Sequence, residues 1–331
     1  MAHLLNRPNA HSAVRIESSE KRSNGINVYK IAVRDGYDGW ADALERKFSR
    51  LFADQLDRYL KKRPSLEYEH PSNLARKVLY AIPAFSAWSK YMPGALALEP
   101  IYNPELKRLE NGKKIDVLTR GLFRHGLDPV GIRTRTVTGS WLVIREISES
   151  RRSQLRWLSL AGGTLMPTLL MLHGSCTDIK RCYVTNVDID ETALARSKKE
   201  ASYSGIPEEH IVTIAADVTD CALLKQMLNP DSYDVIDMMG LLEYLNDADA
   251  SELLSTSYDL ARPGGIILFG NMRRKHPQID LHKRGVGWPG VRPRSVAMIC
   301  ELITATNIPL QAMEVYQPAD GVYTILSILK A

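Results

Sequence analysis

The chain has 331 residues, 44% of them hydrophobic and 24% charged, with 43 Lys and Arg against 38 Asp and Glu for a formal net charge of +5. That composition excludes a disordered or fibrous chain, and the length predicts one large α/β domain with an accessory region. No apolar run reaches the roughly 18–20 residues a membrane span needs and the N-terminal stretch lacks a signal-peptide core, so a cytoplasmic location is expected. The cysteines (Cys176, Cys182, Cys221, Cys300) form no CxxC pair and the histidines no HxH or HExxH pattern, so no metal site is expected.

In chain order, residues 1–25 are polar and aperiodic, which predicts a flexible arm whose removal is harmless. Residues 26–150 are expected to form a mainly helical cap. In "DGWADALERKFSRLFADQLDRYLKKR", Leu44, Phe48, Leu51, Phe52, Tyr59 and Leu60 recur at helical spacing, and the helix stops before Pro64. A second helix is expected from Ser72 as N-cap through Leu74, Val78, Leu79 and Ile82, with a bend at Pro83. Shorter helical pieces at 104–125 and a helix over 128–150 follow, the latter weakened by the β-branched "RTRTVTG". These stripes would pack as a lid over the next domain or against a second copy.

Beyond residue 150 short apolar runs alternate with helical segments. Strands are expected at 155–160, 182–188, 211–215, 233–238, 265–270, 311–317 and 322–329, with helices between the first six. That alternation implies a mostly parallel sheet covered on both faces. The "PADG" turn joins the last two strands as an antiparallel hairpin, expected at the sheet edge.

In an open α/β sheet, ligands bind beyond the carboxyl ends of the strands, so those ends carry the chemistry. The first is "SLAGGT", Ser159 to Thr164, where small residues (Ala161, Gly162, Gly163) let backbone approach a ligand at a helix start. The second closes on Asp188, followed by Ile189; a carboxylate there can accept hydrogen bonds from both hydroxyls of a ribose, with Asp190 as the alternative. The third places Asp217 and Val218 where an adenine amine and ring edge could lie. The fourth runs through Met239, Gly240 and Leu241 into Glu243 and Tyr244, and the fifth ends at Asn271.

This succession resembles the class I S-adenosylmethionine-dependent methyltransferases over residues 150–331. The wording "SLAGGTxxP", "VDID", "GLLEYL" and "PGGxxLxGN" is similar to bacterial small-molecule and fatty-acyl methyltransferases. The resemblance implies a seven-stranded Rossmann-like sheet with a terminal hairpin and S-adenosylmethionine as cofactor. It makes "SLAGGT" the cofactor loop, Asp188 the ribose acid, Asp217 the adenine-side acid and "MMGLLEYL" the segment facing the methyl group. The family loop reads acid, any, Gly, any, Gly, any, Gly; here those four places hold Ser159, Ala161, Gly163 and Leu165, so only the central glycine is kept. A nicotinamide dinucleotide needs its pyrophosphate seated on a fuller glycine motif, whereas S-adenosylmethionine has no phosphate and tolerates the sparser loop.

The positive charge is local. Residues 271–294 hold seven Lys and Arg and one acid, which leaves the rest of the chain near minus one. Asn271 and Arg273 are therefore the candidate substrate-binding residues, for an anionic part of a small or lipid-like acceptor. Tyr244 and His276 are the candidate catalytic residues. His282 shares the loop as a possible base or anion ligand, although a solvated surface role is the simpler reading for either histidine. The rivals are an RNA methyltransferase, supported only by this loop, and a cofactor-binding protein or aminopropyl-type transferase.

Overall fold

The computed structural model describes residues 10–22, 24–147, 154–175 and 178–331, and its strands after residue 150 fall on the expected apolar runs. Residues 1–9 of the expected arm, 148–150 of the expected helix, and Cys176 lie outside the described residues. The N-terminal part comprises α1 (Ala10–Ala13), β1 (Val14–Lys21), β2 (Asn27–Val33), α2 (Ala43–Lys61), α3 (Leu74–Tyr80), α4 (Pro83–Trp88), α5 (Ala95–Tyr102), α6 (Val117–His125) and α7 (Leu127–Ile147). The remainder alternates as β3 (Leu155–Leu160), α8 (Met166–Ser175), β4 (Cys182–Asp188), α9 (Glu191–Tyr203), β5 (Ile211–Ala215), α10 (Cys221–Met227), β6 (Tyr233–Met238), α11 (Asp247–Leu260), β7 (Ala261–Met272), α12 (Val296–Thr304), β8 (Met313–Pro318) and β9 (Tyr323–Leu329).

The sheet has nine strands in the order β1-β2-β8-β9-β7-β6-β3-β4-β5, two more than expected. The extra pair corrects two expectations: β1 lies in the expected flexible arm, and β2 opens the expected helical cap as a strand. β1 pairs antiparallel with β2, and β2 pairs parallel with β8, so the hairpin β8–β9 lies inside the sheet and not at its edge. Tyr29 stacks on Tyr316 with ring centroids 5.0 Å apart and donates to Glu314 Oε1 at 2.9 Å, which locks β2 to β8. β1 escaped notice because it is an edge strand: seven of its eight side chains are exposed and charged or polar residues dominate, which also guards the edge against further pairing.

Along the central strands alternate residues enter opposite cores. Trp157, Val235, Ile266 and Leu268 pack on the face that carries α7, α8 and the preceding helices, whereas Leu158, Ile236, Ile267 and Phe269 pack with α10, α11 and α12. Among the helices, α3 is capped by Asn73, not Ser72, and Pro83 opens the separate helix α4 instead of bending one. On α2 the stripe is displaced: Leu44 and Phe48 are exposed, and Ser49, Ala53, Asp57 and Leu60 face inward.

Helix α7 is the centre of the molecule, with nearly every residue from Gly131 to Val143 buried. Its β-branched run survives because the hydroxyls of Thr134, Thr136, Thr138 and Ser140 donate back to carbonyls three or four residues earlier, so burial leaves them satisfied. Gly131 lets it approach β9: a Cβ there would lie 2.4 Å from Val322 Cβ. Arg133, wholly buried, donates to Asp35 Oδ2 at 2.6 and 2.9 Å and to the carbonyls of Ile101, Phe123 and Arg124.

Since β1 covers the flank of β2 and Ala10, Ala13 and Val14 are buried under α7, removing residues 1–25 should not be harmless. The expected loss is about 2–4 kcal/mol of unfolding free energy, from apolar burial and a freed strand edge. Denaturant titration of the truncated chain checks this; an unchanged midpoint would contradict the nine-stranded sheet.

Candidate functional site

The strand order reverses at β3, which has β4 on one side and β6 on the other, and the carboxyl ends of these three strands open into a cavity of about 320 Å³. Of the residues expected there, Ala161, Gly162, Gly163, Thr164, Asp188, Ile189, Met239, Gly240, Leu241 and Tyr244 all line it. The loop after β3 keeps a glycine-type backbone without the glycines. Ala161, Gly163 and Leu165 have φ of 52°, 53° and 64°, so the three places reserved for glycine are all left-handed although two carry side chains. Each such non-glycine residue costs roughly 1–2 kcal/mol. The surroundings hold it: Leu165 is fully buried, Asn186 Nδ2 on β4 donates to the Gly163 carbonyl at 3.0 Å, and Asp188 Oδ2 accepts the Gly163 N–H at 2.7 Å. A Cβ at Gly162 would fall 2.2 Å from Asn186 Oδ1.

The acid missing at Ser159 is supplied from the next strand. Asp237 on β6 is the register partner of Ser159, lines the cavity, and accepts hydrogen bonds from Trp157 Nε1 (2.5 Å), Thr168 Oγ1 (2.9 Å) and Ser159 Oγ (3.3 Å). Burial pushes its carboxyl up to about 6, against the pull of those donors. Ser159 is therefore a donor that orients an acid beneath the cavity and does not line it. Asp188 uses one lone pair on each oxygen, for the N–H of Gly163 and of Asp190, and keeps the others for a ligand. Asp190 accepts from Thr192 and Ala193 as the N-cap of α9. Asp217 and Val218 do not join the lining: Asp217 accepts from the Thr219 N–H and hydroxyl to shape the turn before α10, and Val218 is packed in the core.

A second cavity of about 130 Å³ lies between the N-terminal helices and the sheet and meets the first at Pro93, Leu98, Arg135, Gly240 and Tyr244. Its walls are aromatic and aliphatic, with Phe52, Phe85, Trp88, Phe123 and Trp288 prominent. Arg135, fully buried at the junction, lies over the Tyr323 ring at 4.7 Å, faces Glu243 at 3.5 Å and donates to Tyr102 at 3.3 Å. Tyr244 accepts from Trp288 Nε1 at 2.6 Å, and burial raises its phenol well above the ordinary value, so it stays protonated and can still donate. On the opposite wall Asp128 bridges two imidazoles, with His276 Nε2 at 2.6 Å from Oδ1 and His282 Nδ1 at 2.8 Å from Oδ2. Burial opposes the Asp128 charge, but the two imidazoles hold its carboxyl well below the usual range.

The substrate expectation at Asn271 and Arg273 is corrected by where these residues lie. Asn271 is buried and structural, donating to the carbonyls of Met272 and Arg292 and accepting from Arg294. Arg294 pairs with Asp247 and the carbonyls of Leu242 and Leu245, and Arg284 with Asp280 and the carbonyls of Leu60, Arg63 and Leu66. Arg273 lies by Asp320 and lines neither of these two cavities. His276 is buried behind Asp128, while His282 faces the second cavity. Sequence reading missed Asp128, Arg135, Asp237, Asn186 and Trp288. Asp237 could have been found, since an acid inside the apolar strand "YDVIDM" needs a reason; the others depend on tertiary placement.

Residues 168–265 match the family described as a methyltransferase domain. Among solved structures the chain is similar to a protein of Bordetella parapertussis described as a possible exported protein, with 14% identity, TM-score 0.61, and 85% of this chain and 96% of that one covered. It is also similar to the CurJ carbon methyltransferase, with 16% identity, TM-score 0.52, and 79% and 71% covered. No curated protein matches the sequence. Residues 168–265 thus match a methyltransferase domain, and they lie within an α/β sheet of nine strands. Among the described residues no helix is long and apolar enough to cross a membrane.

The raised carboxyl of Asp237 makes a pH prediction. With its folded value near 6 above an unfolded value near 4, the native state binds the extra proton, so this group's contribution is fully present below about pH 4 and is lost as pH rises through about 6. Asp237→Asn should therefore raise the melting temperature of the ligand-free protein at pH 7–8 and leave it unchanged near pH 4. A lower melting temperature at pH 8 would show that the buried charge is net stabilising.

Proposed function

We propose that the protein transfers the methyl group of S-adenosylmethionine to a small, largely apolar acceptor held in the aromatic cavity. The observation that carries this reading is the junction of two cavities at Arg135, Gly240 and Tyr244, one a polar cradle at the strand-order reversal and the other lined by aromatic rings.

The residues of the cradle suit the cofactor. Asp188 keeps acceptor capacity for ribose hydroxyls, and Ile189, 73% exposed beside it, offers an apolar ledge for a base. Gly162 and Gly163 let the loop pack closely, since a Cβ at either would meet Asn186 Oδ1 or Ala95 Cβ, and the Asp237 carboxylate complements the ammonium of a methionyl group. Bound S-adenosylmethionine supplies a sulfonium methyl that is electrophilic without further activation. The chain's own work is alignment and exclusion of water. Gly240 narrows the junction to backbone, with Arg135 Nη2 3.0 Å from where a Cβ would be. Arg135 and Glu243 neutralise each other in the wall, while the aromatic side chains favour a flat apolar acceptor over water. Arg284 and Arg294 of the basic loop are paired with Asp280 and Asp247 and line neither cavity, so they are not assigned to the acceptor.

Asp188→Ala removes the ribose acceptor and frees the Gly163 N–H, so S-adenosylhomocysteine affinity should fall by about tenfold to a hundredfold, equivalent to roughly 1.5–3 kcal/mol. Titration calorimetry decides it. Parent-like affinity would displace the ribose from β4.

A further inference from the structure

One buried group remains unused by this reading. His282 Nε2 lies in the interior with no hydrogen-bond partner among the described residues, and the residue lines the aromatic cavity. A buried polar atom left without a partner is costly unless something comes to it. We propose that His282 is the general base of the reaction and that the acceptor is a neutral hydroxylated aromatic molecule, a phenol or an enol, whose O–H meets Nε2. The proposal rests on the methyltransferase reading above.

The geometry fixes which nitrogen is free. The Gln278 N–H donates to His276 Nδ1 at 3.0 Å, so the proton of His276 sits on Nε2 and is donated to Asp128 Oδ1. The second oxygen of Asp128 then accepts from Nδ1–H of His282 at 2.8 Å, which leaves the Nε2 lone pair as the basic site. Asp128 and His276 are positioning residues: the carboxylate orients the imidazole and stabilises the cation formed when it takes a proton. Asp128 sits in the first turn of α7, where negative charge is favoured, and His282 is carried by the π-helical turn Leu281–Val286. Leu281 N donates to the buried Asp57 Oδ1 at 3.0 Å, anchoring that turn to α2.

The class of acceptor follows from the same wall. A carboxylate needs no base and would enter this apolar cavity as an unpaired charge. A hydroxyl on an aromatic ring enters neutral, stacks among Phe85, Trp88 and Trp288, and brings one proton to remove. In the step, the acceptor's O–H proton passes to Nε2, and the oxygen's electron pair forms the new bond to the methyl carbon. The pair of the carbon–sulfur bond returns to sulfur as the neutral thioether, and the imidazolium later releases its proton to solvent.

The test uses the full chain with radiolabelled S-adenosylmethionine and three probes, 2-naphthol, 1-naphthol and 2-naphthoate. The two hydroxyl probes should be methylated and 2-naphthoate should not. His282→Gln should lower kcat by at least about a hundredfold, while S-adenosylhomocysteine affinity stays within about twofold. Asp128→Asn should lower kcat with little change in KM, and Asp128→Glu should restore part of it. His282→Ala should regain turnover with added imidazole. Independently of turnover, the Nε2 resonance of His282 in 15N-histidine-labelled protein should move when 2-naphthol, but not naphthalene, is added to the S-adenosylhomocysteine complex. Undiminished kcat in His282→Gln, an unmoved Nε2 resonance, or equal turnover of 2-naphthoate would overturn the proposal, as would no turnover of either hydroxyl probe by a protein that binds S-adenosylhomocysteine. A parent protein that binds no S-adenosylhomocysteine would instead overturn the methyltransferase reading itself.

Discussion

A single buried ion pair ties the parts of this molecule together. Arg133 has no exposed surface, and its guanidinium joins Asp35, just past the second strand, to carbonyls of α5 and α6. The arginine therefore fastens the N-terminal hairpin and the small helices to α7. Removing one partner of such a pair costs about 3–5 kcal/mol because the other charge stays buried. On the same helix, Arg135 stands at the junction of the two cavities and Asp128 in the wall of the second. The position of α7 thus sets the distance between the polar cradle and the aromatic cavity.

The loop after β3 shows how a backbone can outlast its sequence pattern. Left-handed φ at Ala161 and Leu165 is unfavourable in isolation, yet Leu165 fills the core and Gly163 is gripped from β4 by Asn186 and Asp188. The loop shape is imposed from outside, not chosen by glycine. The same transfer explains the acid: with serine at the end of β3, Asp237 on the adjacent strand supplies the carboxylate, and three donors keep it oriented despite burial.

Much of this was legible in the residues and some was not. The parallel strands read clearly because fully buried strands are short apolar runs, and the strand ends at Gly163, Asp188 and Gly240 read clearly because ligand sites in such sheets are topological. The first strand was illegible because an exposed edge strand needs no apolar face. The α2 stripe misled for a related reason: Leu44 and Phe48 repeat at the right spacing but face outward, while Ser49 and Asp57 face in. The basic loop misled through charge counting, since Arg284 and Arg294 are staples for carbonyls and carboxylates. His282 was legible as a candidate base in the loop, but its buried setting was not, because its partner Asp128 lies 154 positions away.

The most direct measurement is a crystal structure of the protein with S-adenosylhomocysteine. In that complex the adenosyl group should lie on the Gly162–Gly163 loop, the ribose hydroxyls on Asp188 and the thioether sulfur at the Gly240–Tyr244 junction, open toward the chamber that holds His282. An adenosyl group lodged among Trp88, Phe123 and Trp288, or a sulfur turned away from that junction, would contradict it.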